Sequence, residues 1–294
     1  MKKLLILLII TSLIAGAAGG CARNNNGSQS NSYDLQIKGS DTMVNLTQVW
    51  AEEFIKQNPG TNIAVTGGGS GTGLAALVSG SCQLAQSSRL IDEQELKMAE
   101  ENGIKPVMHE VAMDGIAVIV NPKNPISGLT LDELRDIFMR NIRNWKEAGG
   151  DNLEIVILSR EVNSGTHVFF KEKVLKRGDR KSDAEFASEA LLMPSSQAIA
   201  DEVRQNPNAV GYFGVGYTSA EVKTVAVSAA KSRKYYLPTE KNISSGAYPV
   251  SRPLYLYTNG EPKGITKQFL DFVLSGKGQE IVRKLDFVPV RRKV

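Results

Sequence analysis

The sequence predicts an α/β fold in two lobes, each a mixed sheet flanked by helices, joined by two crossing strands. Three observations predict it. Short apolar runs alternate with stretches of helical period, two long extended runs (Val111 to Val120 and Tyr248 to Tyr257) interrupt that alternation, and no internal repeat of fixed period is visible.

The elements follow in order. Leu35-Gln36-Ile37-Lys38 reads as a strand, and Met43, Leu46, Val49, Trp50 and Phe54 at helical spacing read as a helix stopped by Pro59-Gly60. Ile63-Ala64-Val65 is the next strand, and Gly67 to Gly73 leads into a helix carrying Leu74, Leu77 and Val78. Cys82 to Gln86 makes a third strand, ending at Ser87-Ser88-Arg89, after which Asp92 caps a helix from Glu93 to Glu101 closed by Asn102-Gly103. Val111 to Val120, with Gly115 in its middle, is expected to cross between lobes. A second body comprises helix Leu131 to Phe138, the loop Asn144 to Gly150, strand Glu154 to Leu158, helix Thr166 to Leu175, helix Ser196 to Gln205 and strand Val210 to Val215. Tyr248 to Tyr257 crosses back, and helices Thr266 to Leu274 and Gly278 to Leu285 finish the chain. The first lobe is therefore discontinuous, with 34–114 and 250–294 in it and 115–249 in the second.

Before this body, Lys2 and Lys3 precede an apolar run from Leu4 to Ile10, which reads as a secretory signal over 1–20. The run is too short, and too rich in Gly and Ala at its end, for a membrane span of about 20 apolar residues. Ala18-Gly19-Gly20-Cys21 resembles the cleavage box of bacterial lipoproteins, with Ala18 where Leu is usual. The resemblance implies that Cys21 carries acyl chains such as palmitate and anchors the protein on the extracytoplasmic side of a membrane; ordinary secretion is the alternative. Residues 21–33 have almost nothing apolar to bury and are expected to form a flexible tether. Cys82 is the only other cysteine, so no partner is left for an intramolecular disulfide. The net charge of +4, part of it from Lys2 and Lys3, is too small to imply a nucleic-acid partner.

Four strand-to-helix junctions share one composition: Gly39-Ser40-Asp41-Thr42, Gly69-Ser70-Gly71-Thr72, Ser87-Ser88-Arg89 and Arg160 to Thr166. Each offers hydroxyls and the N–H groups of a helix start, which have no intrahelical acceptor and suit an oxyanion. Serine and threonine add neutral donors that rotate to fit the ligand, and glycine lets the backbone come close. Taken alone, each junction reads as a plain N-cap or turn. Their combination with Arg160, whose fork would grip an anion at the following helix, points to a binding site. Arg89 would do the same or would pair with an acid of its own lobe. The candidate ligands of the anion are Ser40, Asp41, Thr42, Ser70, Gly71, Ser88, Arg89, Arg160, Ser164, Gly165 and Thr166.

These segments resemble the phosphate-binding PstS proteins of phosphate ABC importers over essentially the whole mature chain. The resemblance is carried by Lys38 to Thr42, Gly67 to Gly73, Ala85 to Arg89, Asn144-Trp145-Lys146, Gly211 to Gly214 and, most specifically, Arg160 with Ser164-Gly165-Thr166. It implies a periplasmic-binding-protein-like fold of type II closing over inorganic phosphate, held by Ser40, Thr42, Ser70, Arg160, Ser164, Gly165 and Thr166. It also implies membrane-spanning permease subunits as partners, a monomer, and no cofactor. Many relatives have an Asp in the third loop, where this chain has Ser88, and some have one where this chain has Val162. Selecting phosphate over sulfate requires an acceptor for the phosphate proton, and Asp41 is the candidate; its other reading is an N-cap for the helix beginning at Met43.

Competing readings keep or change the fold. Sulfate, molybdate or an organic phosphate would suit the same hydroxyl loops. Gly71-Thr72-Gly73-Leu74-Ala75-Ala76, with Asp92 downstream, fits a dinucleotide fingerprint that glycine-rich stretches also match by chance; a Walker-type site is a separate reading, excluded because no Gly-Lys-Ser/Thr follows the glycines. A phosphate-ester hydrolase would need a base, and His109 and His167 are the only histidines. With one histidine pair and Cys82, a transition-metal site is not expected. Trp145 either packs or faces the importer, Cys82 is expected to be a buried apolar residue, and Arg291-Arg292-Lys293 is expected to be a solvated end, with contact to anionic lipid as its other reading.

Overall fold

A computed structural model describes residues 33–231 and 233–290. The expected signal, Cys21, all of the tether before Tyr33, and Arg291-Arg292-Lys293 lie outside the described residues.

The first half opens with β1 (Leu35–Gly39), a short 3-10 turn (Asp41–Met43) and α1 (Val44–Gln57). β2 (Ile63–Thr66), α2 (Ser70–Val78), β3 (Leu84–Ser87) and α3 (Glu93–Glu101) follow. α1 buries Leu46, Trp50, Ala51 and Phe54 on one face, as the helical spacing of its apolar residues requires. α3 starts where the sequence places it, because Asp92 and Glu95 form a reciprocal capping box. β4 (Pro106–Val120) is longer than the expected crossing run by the five residues before Val111.

The second half holds β5 (Gly128–Thr130), α4 (Leu131–Phe138), β6 (Val156–Arg160) and α5 (Gly165–Phe170). It continues with β7 (Leu191–Met193), α6 (Ser196–Gln205), β8 (Ala209–Gly214), β9 (Lys223–Ser228) and α7 (Glu240–Ser244). α4 and α6 have the bounds the sequence predicts, since each begins on a side-chain cap, from Thr130 and Ser195 respectively. The single helix expected from Thr166 to Leu175 instead changes into a π-turn over Lys171–Leu175. The strand expected at Glu154 begins at Val156, because Glu154 is taken by an isolated bridge to Asn144.

The chain returns through β10 (Ser251–Asn259) and ends in α8 (Gly264–Val273) and α9 (Gly276–Lys284). Tyr248, Pro249 and Val250, expected to be extended, form a bend instead. Tyr248 Oη donates to the Ile116 carbonyl at 2.5 Å and the Ile116 N–H donates to the Val250 carbonyl at 2.8 Å, so this bend is tied to the middle of β4.

One sheet runs in the order β2-β1-β3-β10-β4-β8-β6-β7, with β9 on β4 and β5 on β9. β1 is parallel to β2 and β3, and β6 is parallel to β8 and β7. β10 runs antiparallel to β3 and β4, and β4 antiparallel to β8 and β9, so each half is a mixed sheet with flanking helices, the predicted class. β4 belongs to both halves. Up to Gly115 it pairs with β10, and from Ile116 it pairs with β8, with β9 on its other side from Val118. Strands on both edges and layers on both faces account for the unbroken apolar run Ile116 to Val120, all of it fully buried.

Between parallel strands the helices must lie close, and Gly73 sets that distance for α2 on β1. A Cβ at Gly73 would sit 2.6 Å from Gly39 Cα and closer still to the Lys38 carbonyl oxygen. Gly73→Ala is expected to cost about 1–3 kcal/mol through overpacking against backbone, read as a lowered urea midpoint. A midpoint equal to wild type would show that α2 is free to shift off β1.

Candidate functional site

β1 and β3 are parallel neighbours, so the loops leaving their C-terminal ends lie side by side, and α2 begins next to them. The Ser40 N–H donates to the Gln86 carbonyl at 2.8 Å and Gln86 Nε2 returns a bond to the Ser40 carbonyl at 3.0 Å, which locks the two loops together. Three serine hydroxyls then meet. Ser40 Oγ donates to Ser88 Oγ at 2.9 Å, Ser70 Oγ lies 3.3 Å from Ser88 Oγ, and the Ser88 N–H donates to Ser70 Oγ at 3.0 Å.

The second half brings the loop between β6 and α5 onto the same spot. Ser164 caps α5, its Oγ accepting from the Thr166 N–H at 3.2 Å. Thr166 Oγ1 lies 2.8 Å from Thr42 Oγ1 of the first half. Gly165 fits against the serines only because it lacks a side chain: a Cβ there would stand 2.6 Å from Ser88 Oγ and would collide with Ser70 Oγ. Ser40, Thr42, Ser70, Ser88, Ser164 and Thr166 are all buried, none more than 3% exposed. Gly71, expected to offer its N–H to the anion, donates it instead to the Asn163 carbonyl at 3.1 Å, and Asn163 Nδ2 donates to the Gly68 carbonyl at 2.8 Å. These bonds hold the glycine-rich loop of one half against the Arg160 loop of the other.

Charge is arranged in two pairs. Arg160, at the end of β6, donates from Nη1 to Asp41 Oδ2 at 3.0 Å and to Ser196 Oγ at 3.1 Å, from Nη2 to the Pro194 carbonyl at 3.0 Å, and from Nε to the Met193 carbonyl at 3.2 Å. Of its five N–H groups one on Nη2 is uncommitted. Asp41 does not cap its own turn. Ser40 precedes that turn and makes no side-chain cap, while Asp41 Oδ2 accepts from the Ser196 N–H at 2.8 Å and Ser196 Oγ at 2.7 Å. The start of α6 and the Arg160 guanidinium offer the carboxylate more than its own backbone does. Oδ1 accepts nothing among the described residues, and Tyr217 Oη holds the Asp41 carbonyl at 2.8 Å.

The second pair was not anticipated from the sequence. Arg252 on β10 stands directly opposite Asp114 on β4, donating from Nε at 3.1 Å and from Nη2 at 2.9 Å to Asp114 Oδ2. The other oxygen, Oδ1, accepts from the Val215 N–H at 3.0 Å. Burial pushes the Asp114 carboxyl up and the Arg252 guanidinium down, and each is pulled back by the other's charge. Nη2 of Arg252 also donates to Thr42 Oγ1 at 3.2 Å and Thr166 Oγ1 at 2.9 Å, touching both halves. The one available signal was a lone acid and a lone base, each inside one of the two long crossing runs.

Arg89, by contrast, is turned from the hydroxyls. Glu95 grips it at 2.7 and 2.6 Å and the Leu90 carbonyl accepts at 2.9 Å, so of its two expected roles the structure shows pairing with an acid of its own half. His167 faces away from Ser164: its Nδ1 lies 3.2 Å from Ser159 Oγ and its ring 4.5 Å from that of Phe186. His109 Nε2 lies 3.0 Å from Thr258 Oγ1. Trp145 packs fully buried, its Nε1 donating to the Asn208 carbonyl at 3.0 Å. Cys82 lies just before β3 instead of within it, buried among Leu74, Leu77 and Tyr257, and burial pushes its thiol up to about 11. What remains at the centre is a buried set of neutral donors from four loops, flanked by two charge-compensated guanidiniums. A cleft of about 890 Å³, lined by Arg252, Phe169, Val162 and Leu90, touches this set at Ser88.

Over residues 24–277 the chain matches the family described as PBP superfamily domain. It is 35% identical to the phosphate-binding protein PstS of Pseudomonas aeruginosa, across 90% of this chain and 85% of that one. It is 34% identical to the phosphate-binding protein PstS of Bacillus subtilis, across 90% of this chain and 83% of that one. The crystal structure of a candidate phosphate ABC transporter substrate-binding protein from Clostridium perfringens, with bound phosphate, is similar with a TM-score of 0.77 at 32% identity, across 87% of this chain and 99% of that chain.

His167 supplies a test of the frame. Burial first, then the nearby cations Lys171 and Arg160, lower its pKa from 6.5, against the Arg160 backbone bond and Glu185. The unfolded chain therefore takes up a proton below about pH 6.5 that the native state refuses, and stability is lost as pH falls from there toward the native pKa. Urea midpoints are expected to decline less steeply for His167→Gln than for wild type between about pH 7.5 and 5. Parallel declines would show that His167 is not held neutral.

Proposed function

The chain belongs to the PBP superfamily and, within it, to the phosphate-binding PstS proteins, and from that premise we propose that it captures inorganic phosphate for delivery to an ABC importer. The observation that carries the reading is the convergence of Ser40, Thr42, Ser70, Ser88, Gly165 and Thr166 on one buried spot beside Arg160 and Arg252. A dehydrated phosphate must be matched on every oxygen, since a buried charge without partners is very costly. Neutral hydroxyls do this without adding charge, and they rotate to suit either protonation state.

Selection over sulfate falls to Asp41. Both Asp114 oxygens are committed, to Arg252 and to Val215, whereas Asp41 Oδ1 is free to accept the proton that phosphate carries at neutral pH and sulfate lacks. Arg160 keeps the Asp41 carboxylate paired while it does so. His167 and His109 both bond elsewhere, which supports a receptor that leaves its ligand chemically unchanged.

The lobes in this reading are 34–114 with 250–294, and 115–249. Ligand bridges them and favours the closed arrangement by its differential affinity. The hinge lies where β4 changes partners, between Gly115 and Ile116, and at the Tyr248–Val250 bend bonded to it. The residues before Cys21 support export, with lipidation at Cys21 holding a monomeric receptor on the extracytoplasmic side, beside the membrane-spanning permease subunits that accept its phosphate.

Calorimetry on wild type is expected to show phosphate binding and little or no sulfate binding. Asp41→Asn is expected to weaken phosphate by about tenfold or more, as for one bond to a charged group, and to narrow the gap to sulfate. Unchanged selectivity would remove Asp41 from this role, and preference for sulfate or molybdate in wild type would change the ligand. Gly165→Ala is expected to abolish measurable binding while the urea midpoint stays near wild type, because its Cβ obstructs only the meeting of the halves.

A further inference from the structure

The Arg252 guanidinium is only 2% exposed, and the fold uses only part of it. Nε and Nη2 along one edge share Asp114 Oδ2, and Nη2 reaches Thr42 and Thr166 along the other. Nη1 is buried with no hydrogen-bond partner. A guanidinium is planar, so the edge that carries Nη1 is the one turned toward the two threonine hydroxyls, opposite the edge that Asp114 occupies. The guanidinium carbon stands 5.4 Å from the Phe169 ring centroid, and both residues line the cleft that touches Ser88. Native proteins rarely leave buried donors unsatisfied, and a cation facing a cluster of anion-seeking hydroxyls has an evident acceptor.

We propose that Arg252 is the second cationic ligand of the oxyanion, with Nη1 donating to it directly and Nη2 orienting Thr42 and Thr166. This rests on the phosphate-receptor reading and deepens it. Arginine only donates, so each threonine oxygen must accept from Nη2, which turns its own hydrogen away from the guanidinium and toward another acceptor. The two oxygens lie 2.8 Å apart, so one hydroxyl donates to the other and the remaining hydroxyl hydrogen is left to the anion. Asp114 braces the guanidinium along its far edge, fixing its plane and compensating its charge. Because Arg252 sits in the first half and Thr166 in the second, the arrangement is complete only when the halves meet.

Removing Arg252 alone would strand the Asp114 carboxylate in the interior, so the decisive variant changes both. Exchange of a buried ion pair for uncharged groups of similar volume is often neutral for stability. Arg252→Met with Asp114→Asn is expected to fold with a thermal midpoint close to wild type and to raise the calorimetric Kd for inorganic phosphate about 100-fold, the loss of charge-assisted bonds. Arg252→Lys keeps the charge but not the planar fork, and is expected to raise Kd about tenfold. Wild-type phosphate affinity in either folded variant would overturn the proposal and leave Arg252 an internal ion pair. If the double variant does not fold, Arg252→Lys decides alone. Wild type that binds no phosphate would reject the receptor reading itself, a result separable from any effect at Arg252.

Discussion

Charge neutrality inside the protein is the condition on which this structure rests. Arg160, Arg252 and Asp114 are withdrawn from water and Asp41 nearly so, and each cation has one carboxylate within 3.0 Å. An isolated charge at that depth would cost several kcal/mol, so neither cation could be there without its acid. The pairing is also what frees the hydroxyls. With the fixed charges balanced among themselves, Ser40, Ser70, Ser88, Thr42 and Thr166 are left to be neutral donors, and a ligand brings the only uncompensated charge. In the function proposed above, specificity rests on geometry and proton count more than on bulk attraction, in keeping with the chain's modest net charge.

Sheet order explains how residues so far apart in sequence come together. Parallel β1 and β3 present Ser40 and Ser88 at the same end, α2 delivers Ser70 between them, and β6 brings Arg160 and the Ser164 cap from the other half. β10 and β4 carry the second ion pair in direct cross-strand register, next to the point where β4 passes from one half to the other. Every ligand candidate therefore stands at or beside a strand end or a helix start, with Arg89 and the Gly71 amide bonded elsewhere, and none depends on a long unsupported loop.

Much of this was legible in the residues. Helix starts with side-chain caps, at Asp92, Thr130 and Ser195, were placed to the residue because capping is a local event. The four hydroxyl loops and Arg160 were legible for the same reason. β5, β7 and α7 escaped notice because three to five residues carry no period, and they exist only through their neighbours. β9 is longer but half-exposed at its start, and its pairing with β4 and β5 is long-range. The Arg252–Asp114 pair was hidden for another reason. A charge within an extended run normally marks a solvent-facing position, and only knowledge that the two runs lie side by side reveals that the charges cancel. Arg89 shows the converse: its partner Glu95 is six residues away, already engaged in the α3 capping box, and was within reach of local reasoning.

β4 has a further consequence, because one strand sets the register of two sheets. A slip of a single residue at Met113 would shift Ile119 as well, so the register with β10 and the register with β8 and β9 would be lost together. The halves are thus not separable pieces that happen to dock. A chain cut between Gly115 and Ile116 would leave one fragment with a shortened strand on β10 and the other with five buried apolar residues lacking their lead-in, so both halves depend on the continuity of one strand.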